Sequence, residues 1–123
     1  MDPRRLLTFR AVVRAGSISA GAVLAEDFYA ERLARHGIEA LVPAAPTRAR
    51  LDEIIFGELT VGEVRPESQA DLRAAVEALA EDGAEAVALA CTELELAITT
   101  AQLPLIATAR THALAAAERA LAE

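Results

Sequence analysis

Apolar residues recur along this chain at helical spacing in some stretches and run nearly unbroken in others. Leu6, Phe9, Val12 and Val13 follow Asp2-Pro3, a capping residue and a proline suited to a first helical position. They predict a first helix that stops at Gly16-Ser17. A second helix is expected over about residues 23–35, with Leu24, Phe28 and Leu33 inward and Gly37 as its terminating glycine. Residues 38–42 read as a short strand, and Pro43 and Pro46 punctuate the loop after it. Thr47 is placed to cap a helix over about 48–59 that turns Leu51, Ile54, Ile55 and Leu59 inward. Residues 67–81 predict another helix, burying Leu72, Val76 and Leu79 and closing at Asp82-Gly83.

The pattern then changes. Residues 84–90 are short, almost free of charge and bounded by Gly83, as expected of a strand covered on both faces. A short helix over about 93–98 follows, then a strand over 104–107, then a last helix capped by Thr108 and running to Leu121. Helices alternating with short buried strands predict an α/β fold, a small parallel three-stranded sheet flanked by helices. Three strands are few for this class, which suggests a missing strand, a partner or a fragment. Residues 1–22 form a segment of separate character, and residues 23–123 form the α/β domain.

Composition supports this picture. Alanine is abundant, and the aromatics are only Phe9, Phe28, Tyr29 and Phe56. A core of Ala, Leu, Val and Ile suits helices on a small sheet. The net charge of −7 argues against nucleic-acid binding by the whole chain, which needs a basic face. Arg4, Arg5, Arg10 and Arg14 make the N-terminus locally basic, which sets it apart. The single cysteine excludes an internal disulfide and a thiolate zinc cage, and no metal site is expected. No signal peptide and no membrane-spanning run is read, so a cytoplasmic protein is expected.

The candidate chemistry lies at Cys91-Thr92-Glu93, where the second predicted strand ends. Ligands of open parallel sheets bind outside the C-terminal ends of strands. A thiol there, before a helix, meets backbone N–H groups that favour a thiolate. Thr92 can donate to a bound carboxylate. Glu93 can hold an ammonium group, orient a neighbour or cap the helix. Together they suit proton abstraction beside a carboxylate, where the carbon acid is weak and the base must be close and desolvated. Inversion of a stereocentre asks for two such bases on opposite faces, and Cys91 is one. The plainer alternatives stand beside this. A lone cysteine near a strand is often a small buried hydrophobe, and Glu93 alone suits a first-turn acid. His36 ends a helix and needs no function. His112 is in the first turn of the last helix, at the same rim as Cys91, as a ligand contact, a proton carrier or a structural side chain.

Several stretches together resemble one family. Asp27-Phe28-Tyr29 with Arg32-Leu33 and Gly37-Ile38, then Glu53 to Phe56 with Glu58-Leu59 and Gly62, are similar to segments of aspartate/glutamate racemases. So are Gly83 to Val87 with Cys91-Thr92-Glu93, and the stretch from Pro104 through Thr108 to His112-Ala113. The resemblance covers about residues 26–121 and points to the second half of a fold of two similar α/β halves. It implies cofactor-independent racemisation of aspartate, glutamate or a related carboxylate by two opposed cysteines. On this resemblance Cys91 is the acid/base, and Thr92, Glu93, Thr108 and His112 bind substrate. Ala90 stands where the family usually has glycine, and Ala107 where it has aspartate. The first half, with its cysteine, is expected to be missing, so a homo-oligomer or a complementary half is the expected partner. Separately, Met1-Asp2, Leu6, Phe9, Val12 and Gly16 to Ala20 resemble the opening of a LysR-type regulator, without a recognition helix. Three functions follow: a racemase, a non-catalytic relic or partner-binding module, and a LysR-type DNA-binding fragment.

Overall fold

The computed structural model describes the backbone of Val12–Val13 and residues 30–122. The expected N-terminal helix and the LysR-like stretch otherwise lie outside the described residues, as do residues 23–29 of the second helix. Where described, the first expectation is corrected. Val12–Val13 form strand β1, not the inward face of a helix.

Residues 30–35 are helical and end at Gly37, whose positive φ of 72° suits glycine. The Gly37 N–H donates to the Ala34 carbonyl and the Ile38 N–H to the Leu33 carbonyl, which closes the last turn. The strand expected at 38–42 does not form. Only Glu39 makes an isolated bridge. Helix α1 spans Ala45–Gly57 and buries Leu51, Ile54 and Ile55. Thr47 is not its cap. Pro46 enters the first turn, where its missing N–H costs nothing, and the helix starts before Thr47. A 3-10 turn over Leu59–Val61 buries Leu59 and ends at Gly62. Helix α2, Pro66–Glu81, buries Leu72, Val76 and Leu79 as its spacing predicts.

Strand β2 is Val87–Leu89, helix α3 is the single turn Leu94–Ala97, strand β3 is Leu105–Ala107, and helix α4 is Thr108–Leu121. The sheet has three strands in the order β1-β2-β3, all parallel. Val12 and Val13 pair with Ala88 and Leu89, which pair in turn with Ile106 and Ala107. The predicted class therefore holds, a small parallel sheet flanked by helices, but its first strand is 12–13 rather than 38–42. Both sides of β2 are occupied, so residues 38–42 have no place beside it.

The core joins α1, the 3-10 turn, α2, β2 and α3. Ile54, Val87, Leu79 and Leu94 are fully buried within it. Each fully buried aliphatic side chain contributes about 1.5–3 kcal/mol relative to exposure. Glu58 is buried too, and Ser68 donates its hydroxyl to Glu58 Oε2 at 2.5 Å. Arg65 Nη1 lies 3.9 Å from Glu58 Oε1, which gives the buried carboxylate a cation as well. Among the described residues, no helix is long and apolar enough to cross a membrane.

Candidate active site

Strand β2 carries the chain out of the core and ends at Leu89. Ala90 is exposed, and Cys91 is a free, half-buried thiol packed against the edge of the core. The Cys91 carbonyl accepts from the Leu94 N–H at 3.2 Å, which folds the Cys91-Thr92-Glu93 turn back onto α3. That helix is a single turn starting three residues after the thiol. The expected helix-end assistance to Cys91 is therefore small, because the effect needs aligned peptides and fades within a turn.

Thr92 is exposed and donates its hydroxyl to Glu93 Oε1 at 3.2 Å. Glu93 occupies the position before α3 but makes no capping hydrogen bond there. The reading of Glu93 as a cap is thereby removed for this conformation. Its carboxylate instead takes the threonine proton, and a ligand carboxylate would have to displace that bond to use the Thr92 hydroxyl.

Thr108 was expected to cap the last helix. It is instead the first helical residue, after Ala107, and no side chain caps the helix. Its hydroxyl donates to the Leu89 carbonyl at 2.9 Å. This bond ties the start of α4 to the end of β2, two residues before Cys91. His112, a turn further along α4, is exposed. The structure thus gathers Cys91, Thr92 and Glu93 in one turn and links Thr108 to it through backbone, while His112 lies on an open helix surface.

A cleft of about 600 Å³ runs beside this turn, walled by the end of β2, by α3, β3 and the first turns of α4. Of the five predicted site residues, only Thr92 lines it. Cys91 does not, because the turn directs Thr92 outward and the thiol back toward the core. The cleft also brings in two residues absent from the sequence reading, Glu95 of α3 and Arg110 of α4, which form an ion pair across it. The available signal was their placement. Each falls in the first turn of a helix that follows one of two adjacent strands. Among the described residues, no group of three His, Cys, Asp or Glu side chains is placed to hold a metal ion.

A sequence model of Asp/Glu/hydantoin racemases matches residues 8–116. The chain belongs to this family. The match reaches further toward the N-terminus than residue 26 and takes in strand β1. Solved structures agree. A Yersinia pestis protein described as a candidate Asp/Glu racemase superimposes with a TM-score of 0.79 at 28% identity, over 96% of this chain and 51% of that one. An aspartate racemase homologue from Pyrococcus horikoshii OT3 gives a TM-score of 0.75 at 26% identity, over 96% and 52%. The chain spans about half the length of the solved structures it matches.

Proposed function

We propose that this chain is one half-site of a cofactor-independent racemase, in which Cys91 takes or gives the α-proton of an acidic amino acid or a related carbon acid. The observation that supports this most is the position of Cys91. It is a free thiol in the turn after the central strand of a parallel sheet, in a chain of the Asp/Glu/hydantoin racemase family. A half-buried thiol is partly desolvated yet still open to a ligand.

The substrate carboxylate binds at the Cys91-Thr92-Glu93 turn, accepting from the Thr92 hydroxyl once Glu93 releases it. Glu93 is then freed to attract the substrate ammonium group. Thr108 ties the start of α4 to the end of β2 by its bond to the Leu89 carbonyl, and the family resemblance is what supports it as a substrate contact. His112 contributes from the outer surface of α4 if the substrate extends that far. A hydantoin, the other ligand in the family's name, offers the same α-carbon between a carbonyl and a nitrogen and lacks the free ammonium group that Glu93 would hold.

One thiol works on one face of the α-carbon. Inversion needs a second acid on the opposite face, supplied by another copy of this chain or by a complementary half. The non-catalytic alternative, a partner-binding module, is favoured by one specific feature, the exposure of α4. Ligand protection tests the binding half of this proposal. Iodoacetamide labels the single thiol, and bound aspartate, glutamate or a hydantoin should slow that labelling. Equal labelling rates with and without every one of these ligands would count against a substrate site at Cys91.

A further inference from the structure

The cleft beside the Cys91 turn carries charges that the reading of Cys91 leaves unused. Among the described residues, the charged side chains that line it are Glu95 and Arg110, and they form an ion pair across it. Thr92, the neighbour of the thiol, lines the same cleft. Leu89, Leu105 and Ile106 of the paired strands β2 and β3 give it an apolar wall. Apolar walls with a few charged and hydroxyl groups are the ordinary make-up of a small-molecule site.

Helix stability does not account for Arg110. It stands in the first turn of α4, where the helix's own partial charge is positive and a cation is unfavourable. That turn holds no acidic residue and has no side-chain cap. The guanidinium and the helix end therefore add to one positive region at the cleft. Glu95 answers only part of it, since it engages Nη2 alone. The Arg110 side chain is 71% exposed, and a guanidinium carries five N–H donors in a fixed fork. Glu95, at 26%, is the better anchored partner and fixes where that fork points. An ion pair this exposed adds little to stability. Its clearer effect is to hold a cation with spare donors over the cleft.

We infer that Arg110 is a specificity-determining residue that takes the side-chain carboxylate of an acidic amino acid whose α-carboxylate is held at Thr92. Glu95 is its positioning residue. The inference rests on the reading of the Cys91-Thr92-Glu93 turn as the substrate turn, and it narrows the substrate to a dicarboxylate. The methylene carbons between the two carboxylates lie along the apolar wall. A side-chain amide can also accept from the guanidinium, but a hydrogen bond between two ionised groups is the stronger one. A hydantoin with an apolar substituent brings no anion to Arg110. The site therefore prefers aspartate or glutamate to their amides and to such a hydantoin.

Titrations of the full chain followed by nuclear magnetic resonance test it, with aspartate, glutamate, asparagine, glutamine and 5-methylhydantoin as ligands. At least one acidic amino acid should bind about tenfold or more tightly than its amide and than the hydantoin. Arg110→Gln should erase that preference. Arg110→Lys, which keeps the charge without the fork, should retain part of it. Arg119→Gln, at the far end of the same helix, should retain all of it, and far-ultraviolet circular dichroism should show each variant folded. Equal affinity for acid and amide overturns the inference. So does a preference that survives Arg110→Gln, or no binding of any of these ligands. Because binding needs no proton transfer, an Arg110-dependent preference without α-proton exchange would remove Cys91 as the base and leave Arg110 in place. Exchange lost in Cys91→Ala but equally fast in Arg110→Gln at every concentration of acidic substrate would do the reverse.

Discussion

Asp52 shows how a single side chain in α1 carries an unfavourable term. Its Oδ1 is buried without a hydrogen-bond partner among the described residues. Burial pushes its carboxyl above the usual aspartate range, and the nearby charge of Arg48 offsets part of that. A carboxyl raised in the folded state binds its proton more tightly folded than unfolded. The cost to stability is therefore complete at neutral pH, shrinks as pH falls through the raised value and is gone below the usual aspartate range. Asp52→Asn removes the buried charge. By urea unfolding it should be more stable than the unaltered chain at pH 7, with the gain fading in acid. An unchanged pH profile would contradict this account. Nothing in the sequence marked Asp52, because its position in a helix does not reveal whether a carboxylate reaches water. Thr47 and Thr108 were misread for a related reason. Both are good capping residues, but Pro46 starts one helix earlier, and the Leu89 carbonyl takes the other hydroxyl.

At the scale of elements, the helices were largely legible and the first strand was not. The periodic apolar positions of α1 and α2 are the buried ones, because a helix face packed on a core leaves a local 3.6-residue signature. Leu79 is 1% exposed, and Leu79→Ala should cost about 2–5 kcal/mol. The urea midpoint should fall with an unchanged slope. Val61, 67% exposed on the 3-10 turn, is the control, and Val61→Ala should stay within about 0.5 kcal/mol. Similar losses at the two positions would mean that the core is misassigned. Strand β1 was missed because it is two residues long and its partners lie far along the chain, while Val12 and Val13 also continue a helical spacing from Leu6. Residues 38–42 have the composition of a strand, but the central strand already has a neighbour on each side. The turn after β2 was legible as a strand end, since a thiol follows a nearly charge-free run. Its link to Thr108 and the facing charges of Glu95 and Arg110 arise only when β2 and β3 pair.

For the whole molecule, the decisive facts are family and proportion. The chain belongs to the Asp/Glu/hydantoin racemase family, and it spans about half the length of its solved relatives. Its single cysteine is proposed to serve one face of a substrate. Interconversion and proton exchange therefore report different things. Exchange needs one working base, whereas interconversion needs a second acid on the opposite face. The most direct measurement is α-proton exchange in heavy water, with both enantiomers of aspartate and of glutamate, on the chain and on Cys91→Ala. The account predicts deuterium incorporation by the chain, in one enantiomer if Cys91 works alone, and its loss in Cys91→Ala. Exchange that persists in Cys91→Ala, or no exchange above that variant's background with any of these substrates, would contradict Cys91 as the acid/base.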